Sequence, residues 1–193
     1  MGDRHRELVE IEATAPGIRL SLAYATAGNF TGRPVYARPR CYLHSRAADC
    51  LFHARDLAAA EELELLIFDA FRPTEAQERL WAHTPDPEFL APPERGSPHS
   101  RGVAVDLTLV DQAGRPLDMG TDFDAFTPLS HHGAAGISAE VARNRYLLLG
   151  LMTTAGWDFF RNEWWHYQLF NARDYPLLSD RDLPAPMMAP AAS

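Results

Sequence analysis

Between Ser97 and Asp106 the chain reads SPHSRGVAVD, which sets an imidazole and a carboxylate seven positions apart with a glycine between them. Two such groups can share a proton or a metal ion, provided that they meet. On one continuous strand an odd offset would send them to opposite faces. Gly102 removes that obstacle: a turn at Ser100, Arg101 and Gly102 folds the approach back, so that His99 and Asp106 can point into one cleft. Taken alone, the pair is better read as a satisfied histidine hydrogen-bonded to a strand aspartate.

A second stretch, EWWHYQLF from Glu163 to Phe170, changes the balance. His99, Asp106 and His166 together make a three-ligand zinc set of the catalytic kind, which keeps a fourth tetrahedral position for water. Glu163 could then take that water's proton. The competing reading makes the tryptophans core and Glu163 a surface residue. Against it, a Glu and a His bracketing two Trp beside a packed strand would be an odd way to fill a core.

These residues need elements to hold them. Residues 47–62, rich in Ala and Leu, have the apolar spacing of a helix, and residues 63–71 have a strand-like apolar core. Pro73 suits a first helical turn, and Thr74 with Gln77 has the spacing of a capping box, which puts Arg72 at a strand-to-helix junction. The Pro-rich residues 84–98 predict a loop. From Val103 a strand follows, with Val103, Val105, Leu107 and Leu109 on one face and Ala104, Asp106 and Thr108 on the other. A turn at 111–114 and a second arm complete a hairpin. Ser138 caps a helix ending at Gly156, and EWWHYQLF is the last strand. The pattern is α+β in a single domain, a small antiparallel sheet flanked by helices, with the zinc in a cleft on the sheet. The domain is expected over residues 1–182 and a mobile tail over 183–193.

Composition narrows the function classes. A net charge of −8 with scattered Lys and Arg opposes nucleic-acid binding, and no apolar run approaches a membrane span. Two cysteines, Cys41 and Cys50, make no disulfide framework. Acidic residues near the N-terminus, where a secretory leader would be apolar, predict a cytoplasmic location. A homo-oligomer is compatible with all of this.

SPHSRGVAVDLTL together with EWWHYQL resembles the D-alanyl-D-alanine dipeptidases, the VanX-type family of zinc peptidases. That family carries Ser-x-His-x-x-Gly-x-Ala-x-Asp followed by Glu-x-Trp-His, and Ser97, His99, Gly102, Ala104, Asp106, Glu163, Trp165 and His166 fill every fixed position. LSLAYATAGNFTG, FDAFRP, MGTDFD and SHH extend the likeness from about residue 20 to about residue 175, while Phe68, Phe71 and FTPLSHH depart from it.

The resemblance implies a hedgehog and D,D-peptidase-like fold holding one Zn2+ per chain on His99, Asp106 and His166. It implies Glu163 as general base and acid, and Arg72 as stabiliser of the transition state; Asp69, three residues before Arg72, suits an ordinary salt bridge, which would also hold the arginine in place. It places the substrate ammonium at Asp124 and Tyr24, the carboxylate near Ser97, and Trp165 in support of the site. The small-molecule substrate implied is D-Ala-D-Ala. The rivals are a D,D-carboxypeptidase on cell-wall peptides, and a non-catalytic zinc domain whose site Cys41 or His131 would close. One of His131 and His132 is expected to be structural, and His5, His44, His53 and His83 to be surface or packing residues.

Overall fold

A computed structural model describes residues 7–189, so His5 and the last four residues lie outside it. Five strands form the main sheet in the order β2 (Ile18–Leu20), β4 (Leu63–Asp69), β5 (Ala104–Asp111), β7 (His166–Gln168) and β6 (Asp158–Phe159). All neighbours run antiparallel except β2 and β4, which are parallel. The intervening chain supplies the crossover that a parallel pair requires, because it carries helix α1 (Ser45–Ala60). A separate antiparallel pair joins β1 (Leu8–Glu10) to β3 (Tyr42–His44).

One face of the sheet is apolar and packs on helices. Leu65, Ile67, Val105, Leu107, Leu109 and Tyr167 meet Leu51, Ala54 and Ala58 of α1 and Leu148 and Met152 of α3 (Ala139–Thr154). These β5 residues are the set that alternation placed on one face. Ser138 caps α3 as expected, its hydroxyl accepting from the Val141 N–H at 3.1 Å. Helix α1 starts two residues earlier than its apolar spacing suggests, because the His44 ring accepts from the Arg46 N–H at 3.2 Å. His44 is therefore a buried helix cap.

Three expectations need correction. Pro73 stands before helix α2 (Thr74–His83) and no side chain caps it, since Gln77 turns to other partners. The second hairpin arm reduces to one bridge, Val110 to Pro116, flanked by hydrogen bonds from the Asp111 N–H to the Arg115 carbonyl and from the Leu117 N–H to the Leu109 carbonyl. The segment after residue 182, expected to be a mobile tail, is packed through Met188: Leu183, Met187 and Met188 are buried, and the Asp180 carboxylate accepts from the Met187 and Met188 N–H groups. Among the described residues no helix is long and apolar enough to cross a membrane.

The register of the sheet builds the functional face. Asp69 stands opposite Asp106, and Asp106 opposite His166, so three adjacent strands set three polar side chains in a row. A bulge makes the first pairing possible: β4 advances from Ile67 to Asp69 while β5 advances only from Leu107 to Asp106. Regular alternation would turn Asp69 to the helix side, and the extra residue re-aims it.

Candidate active site

His99 reaches this row from a 3-10 turn, His99–Arg101, that ends at Gly102 with φ +69°. A side chain there would be strained, and a Cβ would stand 2.5 Å from a Leu8 methyl. The fold-back inferred from Gly102 is thus the observed geometry. The Ser97 hydroxyl steadies the turn by accepting from the His99 N–H at 3.2 Å.

Both imidazoles are oriented from behind. His99 Nδ1 lies 2.7 Å from the Ala70 carbonyl, which can only accept, so Nδ1 carries the proton and Nε2 presents a lone pair. His166 Nε2 lies 3.2 Å from Gln168 Oε1, which leaves Nδ1 as the lone-pair nitrogen. The two lone pairs stand 3.2 Å apart, His166 Nδ1 is 3.0 Å from Asp106 Oδ1, and His99 Nε2 is 3.3 Å from Asp106 Oδ2. Three buried acceptors converging without a donor repel one another unless a cation lies among them. Tetrahedral zinc, with bonds of roughly 2.0–2.1 Å, holds its ligand atoms about 3.3–3.4 Å apart, which suits the 3.2 Å between the two nitrogens, and one ligand atom from each of the three residues lies within 4.8 Å of the others. Among the described residues no other such group occurs, and neither Cys41 nor His131 joins it to close the site.

Around the triangle stand the other expected residues. Glu163 is 93% buried rather than on the surface, although Trp164 and Trp165 are indeed core. Its Oε2 lies 3.9 Å from His166 Nδ1. Burial raises its pKa to about 8, and Asp106 and Asp124 reinforce this. Burial also pushes Asp106 upward, but its closeness to the two histidines outweighs this and holds the carboxyl well below the usual range. The Arg72 Nη2 is 3.7 Å from Asp106 Oδ2, and its Nε donates to Asp69 Oδ2 at 2.8 Å. The expected Asp69–Arg72 pair therefore forms, and Tyr36 donates to the other Asp69 oxygen at 3.0 Å. The Arg72 guanidinium lies 4.9 Å over the Tyr24 ring, whose hydroxyl donates to Asp124 Oδ2 at 2.8 Å. Burial, with Asp106 nearby, raises the Asp124 pKa to about 8.

One cavity of about 560 Å³ unites these groups. Tyr24, Arg72, Ser97, Asp124, Glu163 and Trp165 line it with the three convergent ligands, while Asp69 lies behind Arg72. His131 and His132 are absent from it. His132 packs against Phe159 at 5.1 Å, and burial, aided by Arg145, lowers its pKa to about 4, as suits a structural histidine. Sequence reasoning missed Tyr36, Gln168 and the Ala70 carbonyl, and misread Gln77. Only Gln77 left a signal: it shares the buried face of α2 with Ala76 and Leu80, where a polar residue calls for a partner.

The family described as D-ala-D-ala dipeptidase, Peptidase M15, matches residues 4–182. Among curated relatives, a D-alanyl-D-alanine dipeptidase of Escherichia coli (strain K12) is 42% identical over 175 residues, covering 91% of each chain. One of Enterococcus faecium is 36% identical over 181 residues, covering 83% of this chain and 88% of its own. A solved structure, VanYB in complex with D-alanine-D-alanine, aligns with a TM-score of 0.45 at 16% identity, covering 72% of this chain and 79% of that one.

Proposed function

This chain belongs to the D-ala-D-ala dipeptidase family of M15 metallopeptidases, and from that premise we propose that it hydrolyses free D-Ala-D-Ala to two D-alanines. The observation that carries the reading is the convergence of His99, Asp106 and His166, with Glu163 beside His166 and Arg72 beside Asp106. A single zinc ion per chain would be held by those three side chains. When bound, it supplies a Lewis acid for the scissile carbonyl and a more acidic water.

The residues divide the remaining work. Glu163 accepts a proton from the attacking water and returns it to the amide nitrogen as the C–N bond breaks, which a carboxyl with a pKa near neutrality suits. Arg72, charged and fixed at Nε, donates to the carbonyl oxygen as negative charge gathers there. A dipeptide is a zwitterion, so both of its ends need partners. Asp124, backed by the Tyr24 hydroxyl, receives the ammonium, and the Ser97 end of the cavity receives the carboxylate. A longer peptide presents an uncharged amide where the ammonium belongs, and leaves the Asp124 carboxylate without a counter-charge.

The test is release of free alanine by the zinc-loaded protein from D-Ala-D-Ala, L-Ala-L-Ala and a pentapeptide ending in D-Ala-D-Ala. Rapid release from the first alone is expected. Equal cleavage of the pentapeptide would replace the reading with a carboxypeptidase, and silence on all three would remove it.

Gln168 offers a check on the metal. Gln168→Leu strips the acceptor from His166 Nε2, frees the ring to change tautomer, and is expected to weaken zinc binding about 10–100-fold. Competition against a chromophoric chelator reads this directly, and an unchanged zinc affinity would refute it.

A further inference from the structure

Gln77 is a long polar side chain buried to 2% exposure, and both ends of its amide are used. Its Oε1 accepts from Arg72 Nη1 at 2.9 Å, and its Nε2 donates to the Ala91 carbonyl at 2.8 Å. The amide cannot be turned over, since that would set two donors face to face at Arg72 and two acceptors at Ala91. Ala91 lies on the cavity wall, so one residue of α2 joins that wall to the arginine.

The contact matters because of how Arg72 is otherwise held. Asp69 grips it through Nε alone, which leaves the two Nη atoms free to tilt about that single hydrogen bond. Asp106 is 3.7 Å from Nη2, beyond hydrogen-bond reach, and the Tyr24 ring fixes the plane's height without choosing its rotation. Gln77 supplies the second point that a planar fork needs for one orientation, and it leaves Nη2 directed toward the Asp106 side.

We propose that Gln77 is a positioning residue for the hydrolysis, setting the rotation of the Arg72 guanidinium against the cavity wall at Ala91. The inference rests on the dipeptidase reading for its kinetic consequence, but not for the contact itself. Gln77→Met keeps the volume and removes both hydrogen bonds. Gln77→Glu keeps an acceptor for Arg72 and gives up the donor to Ala91.

The zinc-loaded wild type, Gln77→Met, Gln77→Glu, Arg72→Ala and the double variant Gln77→Met with Arg72→Ala are compared on D-Ala-D-Ala, with zinc content and thermal unfolding measured for each. Gln77→Met is expected to lower kcat about 10–100-fold and move KM by less than about threefold, and Gln77→Glu to recover kcat to within about fivefold of wild type. In the Arg72→Ala background Gln77→Met should change kcat by less than about twofold, since its route of action is gone. The Arg72 Nε–H resonance, assigned by its absence in Arg72→Ala, should shift or broaden in Gln77→Met and stay near its wild-type position in Gln77→Glu. Full additivity in the double variant, an undiminished kcat in Gln77→Met, or an unmoved resonance would each overturn the proposal. Should Gln77→Met fail to fold, Gln77→Glu decides: a collapsed kcat with the resonance in place overturns the inference. A wild type that leaves the dipeptide intact would remove the substrate assignment, while the resonance still reports on the contact.

Discussion

Glu163→Gln is expected to lower kcat on D-Ala-D-Ala by about 10²–10⁴-fold while one zinc ion stays bound per chain. The substitution keeps the shape of the side chain, exchanges one carboxylate oxygen for an NH2 donor, and removes both the charge and the ability to take up a proton. Zinc retention follows from geometry, because the ligand triangle is made by His99, Asp106 and His166 without Glu163. Fold stability should not fall. Glu163 is buried beside Asp106 and Asp124, which push its pKa in the same direction as burial does, so a neutral amide relieves a crowded carboxylate. Single-turnover hydrolysis, metal analysis and urea unfolding of the purified variant separate these claims. Loss of zinc together with activity would make Glu163 a ligand, and a kcat within about tenfold of wild type would deny it the role of base.

The ligand set was legible because its signals are local. His99 and Asp106 are tied by one turn whose conformation Gly102 announces, and Glu163 and His166 sit three residues apart beside a strand. Alternation along β5 told the apolar face from the polar one, and the helix face of the sheet follows it. The strands β1, β2 and β3, each of three residues, were not legible, since no period can be read from so short a run. They exist because partners distant in sequence complete them. The packing of Met187 and Met188 was hidden for a related reason: small and proline-rich sequence looks unstructured until Asp180 supplies its hydrogen bonds.

The supporting polar network was mostly out of reach of sequence. Nothing in the local pattern couples Tyr36 to Asp69, or Ala70 to His99, because each contact depends on how β4 ends and on the bulge that re-aims Asp69. Gln77 was misread for want of the same information. Its distance from Thr74 matched a capping box, whereas its place among buried residues of α2 pointed inward, and the fold resolves the conflict in favour of the buried face.

Arg72→Lys tests whether charge or shape matters at that position, and it is expected to cost about 10²–10³ in kcat with zinc retained. Lysine keeps the positive charge, so Asp69 is not left without a cation. Its unfolding free energy should therefore lie nearer wild type than that of Arg72→Ala, which leaves the buried Asp69 without its cation. What lysine lacks is the fork. One ammonium cannot donate along the Nε direction to Asp69, along the Nη1 direction to Gln77, and still offer a fixed N–H toward the Asp106 side where the carbonyl oxygen gains charge. If the guanidinium acted only as a counter-charge, Arg72→Lys would retain most of its rate. The comparison of kcat, zinc content and urea unfolding among wild type, Arg72→Lys and Arg72→Ala distinguishes the two cases. A lysine variant within about tenfold of wild type would show that held geometry is not what Arg72 contributes.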